Sequence, residues 1–221
     1  LHFSIMKEVI MKKLLFWIVL IVGIVALIGS CKKDEESTAA ATTSVTTTTA
    51  SGSITVGSET LSGTYVSACN TTQFAAAAGT QFFPSDVKSG KTVIVVTGDA
   101  AISEETLMYT DTSCSTPSLT WKQGRTDFTL GSASGSNYAV TYKASTVKIK
   151  PSTDAAKSHM DTFAASVNLS ATFTVGSETS ITDSGGTKYN LFSVTSTTVQ
   201  TADSSDNATP TSLDSMVMTK E

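Results

Sequence analysis

The sequence predicts a mainly β domain, an antiparallel barrel or, as the alternative, a β-sandwich, with one short helix. Three observations predict it. Beyond residue 54, apolar residues recur mostly with period two rather than 3.6. Turn signals punctuate that stretch: Ser89-Gly90, Gly98-Asp99, Gly131 to Gly135, Ser184-Gly185-Gly186, Asp206-Asn207 and Pro210. Ser and Thr make up roughly a third of the chain, which suits pleated, half-buried surfaces better than helices.

The N-terminal residues 1–30 read as an address rather than as fold. Lys12 and Lys13 precede an uncharged apolar run from Leu14 to Gly29, which ends in Ile28-Gly29-Ser30-Cys31. Residues 1–10 carry no motif, so Met11 is the expected start, with Met6 as the alternative. About sixteen residues rise about 24 Å as a helix, short of the ~30 Å hydrocarbon core, which disfavours an uncleaved membrane span. Ile28-Gly29-Ser30-Cys31 resembles the lipobox of bacterial lipoproteins. The resemblance implies a signal peptide cleaved before Cys31 and lipid attachment at Cys31, since several acyl chains anchor a protein stably where one does not. Lys32 stands beside that cysteine where an Asp would resemble an inner-membrane retention signal. The run Lys33-Asp34-Glu35-Glu36 resembles the export signal of some surface lipoproteins. The expected location is therefore the outer membrane, facing the periplasm or the cell surface, with the membrane as a partner through the lipid anchor.

Residues 31–53 are expected to form the lipidated cysteine and a flexible Thr-rich linker. The stretch 37–53 has almost no large apolar residue with which to offset ordering entropy. A single β-rich domain is expected over 54–221, with no internal linker. It carries ten Lys and Arg against fifteen Asp and Glu. One Arg, Arg125, and a mildly acidic balance argue against nucleic-acid binding, which needs clustered cations.

Within the domain the strands are expected at Gly63–Ala68, 92–97, Glu105–Thr110, Leu119–Lys122, Thr126–Leu130, 138–142, 147–150, 169–175, Tyr189–Thr195, Thr198–Ala202 and Leu213–Thr219. The cleanest alternation is Leu169-Ser-Ala171-Thr-Phe173-Thr-Val175. One segment breaks the period. Ala156, Met160, Phe163, Ala164 and Val167 share one face of a helix near 154–167, opened by Ser152, Thr153 or Asp154 as N-cap after Pro151. That helix is expected to pack over a barrel mouth or a sheet edge. The hexapeptide Thr-Val-Gly-Ser-Glu-Thr occurs at 55–60 and again at 174–179, with unlike flanks. It reads as coincidence or as two similar strand-to-turn transitions.

With Cys31 lipidated, Cys69 and Cys114 remain, an even count in an exported domain and hence an expected disulfide. A redox-active pair is the alternative, but there is no C-x-x-C spacing. Leu61-Ser62-Gly63-Thr64-Tyr65-Val66 resembles the opening of lipocalin-like barrels, with Tyr65 where Trp is usual. Tyr109-Thr-Asp111-Thr-Ser-Cys114 resembles a signature of bacterial lipocalin-like lipoproteins. The resemblance implies that Cys114 pairs with Cys69 and that the last strand closes the barrel. Two departures stand out. The terminal strand offers only Lys220 where lipocalins keep an Arg under the motif Trp, and the helix precedes the last strands.

The residues for common chemistries are scarce. His159 is the sole His of the domain and reads as a surface helix residue; no Gly-x-Ser-x-Gly elbow is present. Glu104 and Glu105 are adjacent on a strand and point to opposite faces. Asp203-Ser-Ser-Asp206-Asn207 reads as an acidic turn rather than a Ca²⁺ loop. Trp121 and the strand tyrosines read as core. The expectation is no enzyme, no cofactor, no metal and no catalytic residue. A barrel that holds a small apolar ligand comes first, and a structural or adhesion-type surface domain comes second.

Overall fold

The computed structural model describes residues 45–183 and 185–221. The expected signal segment, Cys31, the expected linker as far as residue 44, and Ser184 of the Ser-Gly-Gly turn lie outside the described residues.

Eleven strands and two helices follow one another along the described chain. They are β1 (Ile54–Val56), β2 (Glu59–Leu61), β3 (Thr64–Ser67), α1 (Thr72–Ala77), β4 (Ser89–Gly98), β5 (Ala101–Tyr109), β6 (Pro117–Ser134), β7 (Asn137–Pro151), α2 (Asp154–Ser166), β8 (Thr179–Thr182), β9 (Thr187–Val194), β10 (Thr198–Thr201) and β11 (Val217–Lys220). Every pairing is antiparallel, and neighbours in the sheet run β6-β5-β4-β3-β11-β10-β9-β7. β6 also pairs with β7, so these eight strands close on themselves and leave no sandwich. The alternative sandwich is thereby excluded. β8 is an accessory: the half of β7 from Asn137 to Lys143 pairs with β9, while Thr146 to Ile149 pairs with β8.

Closure requires long strands, and the sequence had divided them. The expected strands 119–122 and 126–130 are one strand, β6, and 138–142 and 147–150 are one strand, β7. The β6–β7 register shifts three times, between Gln123 and Arg125, between Thr126 and Thr129, and between Leu130 and Ala133. Each irregularity resets the period-two pattern, so a continuous strand reads as two. Asp127 sits in one of them at φ 55°.

The clearest expected strand is not a strand. Residues 169–175 keep the alternation in their burial, with Phe173 buried, yet no ladder partner joins them. The β7 edge beside them is taken by β8. The alternation therefore reports a buried face rather than a sheet. The two copies of the hexapeptide place Gly57 and Gly176 in turns at φ 65° and 81°. They are similar turns in unlike surroundings: the first makes the β1–β2 hairpin and the second leads into β8.

Helix α2 matches its expected face in Ala156, Met160 and Ala164, all buried, whereas Val167 is exposed beyond its end. The Thr153 hydroxyl caps it by accepting the Ala156 amide at 3.0 Å. Asn168 at φ 54° stops it, and the Leu169 and Asn168 amides donate to the carbonyls of Ala164 and Ala165 at 2.8 and 3.3 Å. That is a Schellman arrangement, which satisfies the terminal carbonyls. Helix α1 was not expected from the sequence, being too short for a helical period to declare itself.

Residues 45–53, expected to be linker, lie on the barrel's outer face. Val45 packs with Val93, Val95, Leu107 and Tyr109. Thr46 Oγ1 donates to Glu105 Oε2 at 2.6 Å, and Lys122 Nζ donates to the hydroxyls of Thr47 and Thr48 at 2.8 and 3.2 Å. The Ser51 amide bonds the Val96 carbonyl at 2.9 Å. One valine apart, threonine hydroxyls rather than apolar surface hold the segment, through two charged side chains, which composition does not reveal.

Two cores fill the interior. One joins Ile54, Val56 and Leu61 of the hairpin to Tyr65, Phe128 and Phe192. The other gathers Met108, Leu119, Ile149, Phe74, Met160 and Phe173 beneath the helices.

Candidate functional site

Between the two cores lies a cavity of about 600 Å³. Ile94 and Met218 belong to the first core and also line the cavity, so they form its floor. Thr92, Thr106, Thr201 and Ala202 line its walls. Gln73, Phe74 and Ala77 of α1, Phe83 after it, and Asp203, Ser204, Asp214, Ser215 and Met216 from the segments flanking β10 and β11 form its rim. α1 can lie close to the sheet because Gly90 has no side chain: a Cβ there would sit 2.0 Å from the Phe74 ring.

A charged network stands at the base. Arg125 Nε donates to Glu104 Oε2 at 2.8 Å, and the Tyr142 hydroxyl donates to Glu104 Oε1 at 3.1 Å. Asn190 Nδ2 donates to that hydroxyl at 2.9 Å, while its Oδ1 accepts the amides of Leu191 and Ala202 at 2.6 and 3.1 Å. The Arg125 guanidinium also stacks 4.9 Å from the centre of the Tyr142 ring. Burial, then the neighbouring Glu104 carboxylate, pushes the Tyr142 phenol well above its ordinary range, so it stays a proton donor. At the rim, Asp214 has its pKa raised by burial and by the Asp203 carboxylate.

The expected disulfide is present: Cys69 and Cys114 are joined, with their Cα atoms 5.9 Å apart. Asp111 organises the loop that carries Cys114. Its carboxylate accepts the amides of Ser113, Ser115 and Thr116 at 2.9, 3.1 and 2.6 Å and the hydroxyls of Ser113 and Ser115 at 2.9 and 2.8 Å. These bonds, Thr116's foremost, hold its pKa far below the usual carboxylate range. Tyr65 and Lys220 meet as well. They pair across β3 and β11, and Lys220 Nζ lies 5.8 Å from the Tyr65 ring centre and 3.0 Å from Ser62 Oγ. The Lys departure is thus accommodated at the end remote from the cavity.

The other sequence-selected residues are dispersed. Glu104 faces the cavity network, whereas Glu105 faces outward to Ser103 and Thr46. Asp206 pairs with Lys188, while Asp203 lies on the rim. His159 Nε2 is 3.1 Å from the Gln81 carbonyl oxygen. The hydroxyls near it, Thr80, Thr162 and Ser166, donate to backbone carbonyls rather than to the imidazole. Trp121 packs edge-on to Phe82 and Phe163 beside the second core.

The sequence reading gave Arg125, Tyr142 and Asn190 no role in a site. A signal was available for Arg125, which is in phase with Leu119 and Trp121 on one strand, but the apparent gap between the two expected strands hid it. No protein-family model and no curated protein matches the chain. The closed eight-strand antiparallel barrel is compatible with a lipocalin-like fold.

Proposed function

We propose that the domain is the ligand-binding part of a membrane-anchored bacterial lipoprotein, tethered through acylated Cys31 at the outer membrane, that holds a small ligand without transforming it. The observation that carries this reading is the cavity of about 600 Å³ in a closed barrel, within the range of small-molecule sites. Phe74, Phe83, Met216 and Met218 supply apolar wall for a ligand's tail. The anchor rests on Lys12, Lys13, the apolar run and Ile28-Gly29-Ser30-Cys31.

The test uses the full-length protein reconstituted in lipid nanodiscs and a small photo-crosslinking probe with a short alkyl chain. Saturable labelling concentrated on rim and wall residues such as Phe74 and Met216, mapped by mass spectrometry, is expected. Labelling that is absent, or spread over the exterior, overturns the binding reading. Cys31→Ser should separately abolish acyl labelling and membrane fractionation; persistence of both overturns the anchor.

A further inference from the structure

The charge arrangement of this cavity bears on what it binds, granted the binding reading above. Arg125 Nε is the one guanidinium nitrogen bonded to protein among the described residues, through Glu104. No buried side-chain nitrogen or oxygen among them lacks a hydrogen-bond partner. Arg125 lines the cavity, and its two terminal amino groups make no hydrogen bond to the described residues. They are donors without an accepting partner on a side chain only 11% exposed, where a satisfied hydrogen bond counts for more than in water.

Their charge is already spent. Glu104 compensates Arg125 at 2.8 Å, so the base is close to neutral while still offering donors. Glu105 also borders the cavity, but its carboxylate accepts the Thr46 and Ser103 hydroxyls on the outer face, and the other charges on the lining, Asp203 and Asp214 at the rim, are both negative. A carboxylate entering past them gains no net cation at the base and approaches Glu104, where like-charge repulsion is costly. An ammonium group is favoured at the rim but meets only donors from Arg125 below. A carbonyl or hydroxyl accepts from Arg125 with no charge to desolvate.

We propose that the cavity selects an uncharged amphiphile, with a carbonyl or hydroxyl head set against Arg125 and an alkyl tail along Phe74, Met216 and Met218, and discriminates against anionic fatty acids. The selectivity belongs to the Arg125–Glu104 pair acting together: the arginine supplies donors, and the glutamate removes the net charge that would recruit an anion.

The test is competition at neutral pH against the photo-crosslinking probe on the nanodisc-bound full chain. The competitors are octanamide, octanol, octanoate and octylamine, which share one tail length. Octanamide and octanol are expected to compete at least about tenfold better than octanoate. Octanoate equal to or better than octanamide overturns the inference while leaving the binding reading intact. Absence of cavity labelling by the probe itself overturns both. Glu104→Gln supplies a second measurement that misfolding cannot mimic, because it predicts a gain. With the guanidinium uncompensated, octanoate competition should improve about tenfold, and no improvement refutes the role given to the pair.

Discussion

The two ends of the barrel are closed by different physics. At one end the β1–β2 hairpin drives Ile54, Val56 and Leu61 between Tyr65, Phe128 and Phe192, all of them buried. Gly57 makes that seat possible, because a Cβ there would lie 2.0 Å from the Tyr138 hydroxyl. At the other end α1, Phe83 and the segments flanking β10 and β11 border a void. Beside the second core beneath the helices, that end is held by ties. They include the Cys69–Cys114 disulfide, the Asp111 turn, and Asp86, whose carboxylate accepts the Ser118 and Thr153 hydroxyls at 2.6 and 2.7 Å. Close packing excludes a ligand. An end that keeps a cavity forgoes contacts and recovers rigidity through bonds that fix backbone without filling space.

The largest expected effect strikes the tied end. The disulfide closes a loop across a sequence separation of 45 residues. In the chain-entropy account its loss through Cys69→Ala with Cys114→Ala costs about 4 kcal/mol. Denaturant titration should show a matching fall in unfolding free energy. A loss below about 1 kcal/mol would mean that packing, not the staple, holds that end. The packed end answers next. Leu61→Ala should cost about 3 kcal/mol, as a fully buried leucine does, yet leave competition at the cavity unchanged. A change in competition would show that the two ends are coupled.

Much of the fold was legible because the signals that specify it are local. Period two found both long hairpin strands, each in two pieces, the helical face at 156–164 declared α2, and two cysteines sufficed for the disulfide. What sequence could not give was closure and partnership. Whether Leu169 to Val175 joins a ladder depends on who occupies the β7 edge, and β8 does. The cavity is a still longer-range property. Glu104, Arg125, Tyr142 and Asn190 come from four strands, and the break expected between residues 122 and 126 hides the phase that brings Arg125 inward.

A smaller effect sharpens the packed end. Gly57 sits at φ 65° with the Tyr138 ring against it. Gly57→Ala should cost about 1 kcal/mol from the backbone alone, and more from the displaced ring. The matching substitution Gly176→Ala meets nothing within 4 Å and carries only the backbone cost at φ 81°. The same hexapeptide therefore gives two measurements of one turn, with and without a packed neighbour. Equal losses would show that the ring yields freely and that the packed end is softer than its burial implies.

The tied end carries the subtlest signature, because two of its carboxylates respond to acid in opposite senses. Asp111 is held far below the ordinary range by hydrogen bonds from Thr116, Ser115 and Ser113. Unfolding releases those bonds, so the unfolded chain takes up a proton first as pH falls through about 4. The stability that Asp111 supplies is thus complete above that pH and is lost progressively below it. Asp214 is raised by burial and by Asp203. There the folded chain takes up the proton first, so a penalty present at neutral pH is relieved as pH falls through the raised value. Urea midpoints measured from about pH 6 to pH 2 should decline less steeply in Asp111→Asn than in the parent. Asp214→Asn should be more stable than the parent at neutral pH, and that advantage should fade in acid. If Asp111→Asn follows the parent curve, the loop carrying Cys114 is held by the disulfide alone. If Asp214→Asn gains nothing, the rim carboxylates do not repel, and the negative potential assigned to the cavity mouth is absent.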